Sequence, residues 1–259
     1  MLLVSNYKSP ITGRNAVWSG CLIAFVAYVG LLSPSSATGI DDGAQAKSRT
    51  VVLLHGLGRS NRSMSDMEAA LGGAGYTVEN IDYPSTDHPF QKLLEIVSDR
   101  IDRCCVRSGS KIDFVTHSLG GILLRAYAQG RGNGYIGRAV MLSPPSRGSE
   151  LVDELKDITV FQWIAGPAGQ QLGTDPDSVP LNLGPVNFEV GVITGNASLN
   201  PLYSWLIPGP DDGKVSVDRA MLSGMADFIV LPHSHSFIMN SEEVIRQTLY
   251  FLDQGRFDH

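Results

Sequence analysis

Cysteine is scarce in this chain, with three in 259 residues. Cys21 lies in an apolar N-terminal run, and Cys104 and Cys105 are adjacent, so no spacing remains from which a disulfide framework could be built. Adjacent cysteines can form only a strained bridge with each other. Histidine is also sparse, at six. The pair His233 and His235 has no third ligand nearby at a recognisable metal-site spacing, so no metal is expected. Positive charge is in short supply too: Lys and Arg number 20 against 26 Asp and Glu, for a net charge of −6. An acidic chain without a basic stripe lacks the electrostatic footprint of a nucleic-acid-binding protein. Internal repeats and low-complexity tracts are absent.

The one long apolar run is at the N-terminus. Lys8 and Arg14 precede "AVWSGCLIAFVAYVGLL" (residues 16–32), which carries no charge, and small residues at Ser35 and Ala37 would suit cleavage after Ala37. Residues 1–37 therefore read as a signal peptide, or as an N-terminal membrane anchor if uncleaved. The protein is expected to be exported, periplasmic or secreted, or held at the membrane by residues 16–32. Loss of Lys8 and Arg14, the only charges in that segment, would take the net charge from −6 to −8. Residues 38–50, "TGIDDGAQAKSRT", read as a linker, and the folded domain as 51–257.

Within that domain short β-rich runs alternate with longer helical patterns. "VVLLHG" (51–56), "YTVENIDYP" (76–84), "KIDFVTH" (111–117), "GRAVMLSPP" (137–145), "VNFEVGVITG" (186–195) and "DFIVLP" (227–232) read as strands. Residues 63–75, 90–109, 119–130 and 241–255 read as helices. Such alternation predicts a mostly parallel sheet with helices on both faces. Residues 147–185 interrupt it with a Gly- and Pro-rich stretch preceded by an amphipathic segment, and read as a small cap or lid-like insertion above the sheet's carboxyl edge, where open α/β sheets bind ligands.

Ser118 stands between a predicted strand and a predicted helix. A serine there is ordinarily a helix cap. Small residues on both sides point instead to a tight turn that exposes a nucleophilic hydroxyl. Gly120 meets that requirement, whereas Thr116 stands where glycine is usual. A serine hydroxyl needs a base, and imidazole is the best matched near neutral pH. Where a strand–serine–helix turn of this kind carries a triad, the acid follows the serine and the histidine comes last. Past Ser118, His233 and His235 are the histidines that precede the terminal His259, and either could be the base. The acid belongs on the loop after the penultimate strand, where "PGPDDGKVSVDRA" (208–220) offers Asp212, with Asp211 as the alternative. An oxyanion would be met by the backbone N–H of Leu119 and by one from "HGLGRS" (55–60), assigned to Leu57, with Gly58 as the alternative. His55 is expected to support that loop.

"VVLLHGLGRSNRSMSDM", "GYTVENIDYPS", "VTHSLGGILLR", "LSPPSRGSEL", "PGPDDGKVSV" and "HSFIMNSEEVIRQTLYFLDQGRF" together resemble, in the same order, a group of bacterial α/β-hydrolases related to small serine lipases and esterases. The resemblance implies a three-layer α/β-hydrolase fold, reduced to about six strands because few residues precede Val51. It implies a Ser118–Asp212–His235 triad, with His235 favoured because the group's histidine stands just before a "(S/T)FIM"-like segment. It also implies cleavage of carboxylic esters through an acyl-serine without a cofactor, on a small-molecule or lipid ester. A membrane-associated acyltransferase or lipid-remodelling enzyme would use the same residues. A non-catalytic binding module on this scaffold would be expected to lack a triad member. Phe161, Trp163, Leu172, Leu202, Tyr203, Trp205 and Leu206 lie where an acyl pocket or lid would be built, although the ordinary role of any one of them is packing inside the insertion.

Overall fold

The structure, a computed structural model, describes residues 49–106 and 111–259. The segment 1–37, read as a signal peptide or anchor, lies outside the described residues, as does most of the linker. Among the described residues no helix is long and apolar enough to cross a membrane.

Six strands form one sheet: β1 (Thr50–Leu54), β2 (Thr77–Ile81), β3 (Ile112–His117), β4 (Ile136–Leu142), β5 (Glu189–Gly195) and β6 (Asp227–Leu231). Their order is β2-β1-β3-β4-β5-β6, and every neighbouring pair is parallel. From β1 the chain first moves outward to β2 and then returns past β1 to β3. The carboxyl ends of β1 and β3 therefore flank the point where the strand order reverses, the crevice in which open parallel sheets bind ligands.

Alternation along the strands sends side chains to two faces. Val52 and Leu54 of β1 join one core cluster with Phe114 of β3, and with α2 (Phe90–Cys104) and α3 (Leu119–Arg131). Val51 and Leu53 join the opposite cluster with α1 (Ser65–Gly73) and the C-terminal helix (Glu242–Gln254). α2 buries Phe90, Leu93, Val97 and Ile101, a single stripe at helical spacing. The C-terminal helix begins at Ser241, whose side chain accepts from the Val244 amide, carries Glu242 and Glu243 in its first turn, and stops at Gly255 with φ 74°.

The start of the fold differs from the expected linker boundary. Thr50 pairs with Thr77 and Ile112, and Arg49 donates to the Leu252 carbonyl and pairs with Asp113 at 2.6 Å. Two polar residues hide this strand entry from a hydropathy reading. Cys104 and Cys105 are bridged to each other. A bridge between neighbours closes no long loop and ties no two elements together, so it adds no framework.

Between β4 and β5 the insertion folds as α4 (Glu150–Leu155), α5 (Thr159–Gly169) and α6 (Val179–Asn182). α5 is kinked at Gly166, with Pro167 inside it. Buried Arg125 of α3 holds this insertion. Its guanidinium donates to the Ser146 carbonyl at 2.8 Å and to the Leu183 carbonyl at 2.8 Å, with Pro180 and Gly184 carbonyls at 3.3 Å. Desolvation pushes Arg125 down to about 10. α7 (Pro201–Leu206) and α8 (Val217–Ala220) lie between β5 and β6, and the C-terminal helix is α9.

Candidate active site

Ser118 sits at the carboxyl end of β3, and α3 begins at the next residue. Its backbone has φ 52° and ψ −119°, a conformation that an L-residue holds only when its surroundings enforce it. The Ser118 amide donates to the Leu142 carbonyl and the Gly121 amide to the Ser118 carbonyl, each at 2.9 Å, so the turn is tied on both sides. Gly120 is required, since a Cβ there would stand 2.5 Å from the Leu54 carbonyl oxygen. Thr116 fits where glycine is usual because Gly121 leaves room: a Cβ at Gly121 would stand 3.3 Å from Thr116 Oγ1. That buried hydroxyl has no hydrogen-bond partner among the described residues.

The loops after β5 and β6 bring the other candidates to this serine. Ser118 Oγ lies 3.0 Å from His235 Nε2, and His235 Nδ1 lies 2.8 Å from Asp212 Oδ2. With Asp212 ionised, Nδ1–H donates to the carboxylate, and Nε2 is left to accept the serine proton. The amides of Lys214 and Val215 donate to Asp212 Oδ1 at 3.0 and 2.9 Å. The His235 amide donates to the Asp212 carbonyl at 2.9 Å, joining the two loops. Asp211 plays a different part: its Oδ1 accepts from the Gly213 amide at 2.7 Å and the Ser204 hydroxyl at 2.9 Å. His233 turns away to Ser241 Oγ at 2.9 Å, so the two histidines of the H-x-H pair do not converge.

Burial pushes the Asp212 carboxyl up, but the charge of His235 and the bonds from His235 and the Val215 amide outweigh it and hold the group below its ordinary value. Next to Ser118, the fully buried His117 is driven well below its ordinary value, first by desolvation and then by the charges of His235 and Lys214. It remains neutral, and its Nε2–H donates to the His235 carbonyl at 3.0 Å. His55 donates from Nδ1 to the Gly56 carbonyl at 2.9 Å and accepts from the Tyr83 amide at 3.3 Å on Nε2. Its ring stacks on Tyr83 at 4.0 Å. Burial lowers it as well, so His55 braces the loop after β1.

That loop runs against the nucleophile. A Cβ at Gly56 would stand 2.6 Å from His117 Nδ1 and 3.2 Å from Ser118 Cβ, so only glycine lets Leu57 follow so closely. Leu57 and Ser118 line one cavity of about 450 Å³. The Leu119 amide is the first of α3, where an N–H has no partner within its own helix.

Leu151, Val152, Leu155, Phe161, Ile164 and Leu172 of the insertion form the apolar wall of the cavity, and Tyr203 of α7 adds an aromatic edge. Other aromatics of these segments do not pack inward as expected for an insertion core. Trp163 is 85% exposed and Trp205 81% exposed, with Leu202 also on the surface. α5 buries only its small residues Ala165, Gly166, Ala168 and Gly169, and α7 buries none of its own.

Three contributors were not singled out by the sequence reading. His117 is one, and Arg59 and Lys214, which line the same cavity, are the others. Their nearness to the serine loop and to Asp212 in the sequence was the available signal.

The alpha/beta hydrolase family model matches residues 51–244, and the chain belongs to that family. Among solved structures, it is similar to a mature Bacillus licheniformis lipase, with TM-score 0.67 and 18% identity over 79% of this chain and 92% of that one. It is also similar to the phospholipase PlaB of Legionella pneumophila (TM-score 0.61, 17% identity, 80% of this chain and 59% of that one). A metagenomic carboxyl esterase aligns with TM-score 0.59 and 17% identity over 73% of this chain and 64% of that one. At these identities the likeness speaks to the fold. A search of curated proteins gave no match.

Proposed function

We propose that this hydrolase is a serine esterase of the lipase type that cleaves carboxylic esters through an acyl-Ser118 intermediate. The observation that carries the reading is the relay from Ser118 Oγ to His235 Nε2 at 3.0 Å and from His235 Nδ1 to Asp212 at 2.8 Å, opening into an apolar cavity. His235 takes the proton as Ser118 Oγ attacks the ester carbonyl. The N–H groups of Leu57 and Leu119 receive the oxyanion, a form of stabilisation worth about 100- to 1000-fold in rate per donor. His235 then gives the proton to the leaving alcohol and next activates water, which releases the acid and regenerates Ser118. The acyl chain lies along the wall built by α4 and α5. The exposed Trp163 and Trp205 support an apolar or aggregated ester as substrate. Export, or attachment to a membrane through residues 16–32, belongs to the same proposal and is supported by that uncharged run.

The test is covalent labelling by a fluorophosphonate, mapped to the modified peptide. Labelling at Ser118 that disappears in Ser118→Ala and is slowed in His235→Ala is the expected result. An unlabelled, folded wild-type protein in both buffer and detergent micelles would reject the reading.

A further inference from the structure

The cavity beside Ser118 holds two cations that ester cleavage itself does not use. Arg59 and Lys214 line it together with Ser118 and His235, and among the described residues no acidic side chain lines it with them. This is unexpected in a chain whose acids outnumber its bases by 26 to 20. Among the described residues neither cation forms an ion pair with a carboxylate. Asp212, the acid whose charge acts on Lys214, is committed to His235 and to the Lys214 and Val215 amides. Burial pushes the Lys214 ammonium down and the charge of Arg59 pushes it further, with Asp212 opposing. Two like charges held near each other in a partly desolvated site oppose folding unless an anion joins them.

Their placement says which part of an ester they would meet. Arg59 donates to the carbonyl of Ser236 at 2.9 Å, directly after His235. Lys214 stands two residues after Asp212, on the loop whose Asp212 carbonyl accepts the His235 amide. Arg59, on the loop after β1, thus bonds across to the residue after His235, and Lys214 lies on the loop that holds the His235 amide. In acyl transfer the leaving alcohol must reach His235 Nε2 to receive its proton, whereas the acyl chain follows the apolar wall from α4 and α5. The cations thus face the alcohol portion.

We propose that Arg59 and Lys214 form an anion-binding subsite for the alcohol portion of the substrate, so that the preferred esters carry a phosphate or carboxylate within a few bonds of the ester oxygen. The arginine supplies a planar fork and the lysine a point charge, a pairing suited to either anion. The inference rests on the serine-esterase reading above.

Three soluble hexanoyl esters, used below the concentration at which they aggregate, test it: 1-hexanoylglycerol, 1-hexanoylglycerol 3-phosphate and hexanoylglycolate. Charge-assisted bonds predict that kcat/KM for an anionic ester exceeds that for the neutral one by roughly 10- to 100-fold. Preference for both anions means the subsite reads charge, and preference for the phosphate alone means it reads a phosphate; either supports the inference. Arg59→Gln and Lys214→Met should each lower the anionic-to-neutral ratio by about tenfold, and Lys214→Arg should retain most of it. Because the readout is a ratio within one variant, partial loss of folding does not imitate the result. A wild-type ratio of one or below, or a ratio unchanged in the double variant, overturns the subsite. Labelling at Ser118 together with no charge preference removes the subsite alone. No labelling and no hydrolysis of any of the three esters removes the esterase reading and the subsite with it.

Discussion

His117 donates from Nε2 to the carbonyl oxygen of His235 at 3.0 Å, and the two rings lie 4.9 Å apart. The residue before the serine thus holds the backbone of the histidine that faces that serine. Glutamine can reproduce the donor, and leucine cannot. His117→Leu should lower kcat by about tenfold or more with little change in KM, because a small displacement of a reacting group is costly. His117→Gln should recover most of the loss. Steady-state kinetics on a soluble ester would check both.

The buried imidazoles also set an acid limit on stability. His117 and His55 are both held below their ordinary value of 6.5 in the fold. Below that value the unfolded chain binds protons that the folded chain refuses, so stability rises with pH and is lost progressively as pH falls from 6.5. Asp212 acts lower down: its contribution is present above 3.8 and disappears as pH falls through its depressed folded value. Urea unfolding from pH 7 to pH 5 should show falling stability in the wild type and a shallower fall in His117→Gln.

Thr116 leaves a buried hydroxyl beneath the elbow with no hydrogen-bond partner among the described residues. Replacing it by the isosteric valine removes that group and keeps a side chain suited to a central strand. Thr116→Val should raise stability by about 1 kcal/mol, the lower end of the cost of an unsatisfied polar group. Denaturant midpoints at constant m-value would measure it.

Arg125 anchors the insertion through carbonyls of Ser146, Pro180, Leu183 and Gly184. Arg125→Met keeps much of the volume but strips these acceptors of their donor. A loss of about 3 kcal/mol is expected, since bonds to a charged group are the stronger kind. Thermal unfolding should show the drop, and limited proteolysis should cut first within residues 170–185.

Trp163 and Trp205 belong to the surface, so changing both to alanine should shift stability by less than about 1 kcal/mol. If they meet an aggregated lipid ester, the ratio of activity on micelles to activity on the same ester as monomer should fall by about tenfold. An unchanged ratio would show that they do not touch the lipid phase.

The six strands were legible because short apolar runs punctuated by Gly and Pro are local signals. The elbow was legible for a related reason: Ser118, Gly120 and Gly121 form the turn within a few residues. The choice between His233 and His235, and between Asp212 and Asp211, was not legible from spacing. The members of each pair stand one or two positions apart on a polar loop, and only the direction of the chain after β5 and β6 sends His235 to Ser118 and His233 to Ser241, and Asp212 to His235 and Asp211 to Ser204. The exposure of Trp163 and Trp205 was likewise hidden. Hydropathy records that a side chain is apolar, and has no record of whether a short helix finds a second surface to cover it.

By itself the sequence determined a parallel sheet, a strained serine turn, and an acid and a histidine on loops after later strands, since all of these follow from periodicity and turn chemistry. The tertiary structure decided distance. It brought His235 to 3.0 Å from a serine 117 residues earlier in the chain, joined the Asp212 and His235 loops, and placed Arg59 and Lys214 in one cavity. Such contacts depend on strand order and on which residues crowd the switch point between β1 and β3, and packing in three dimensions sets both.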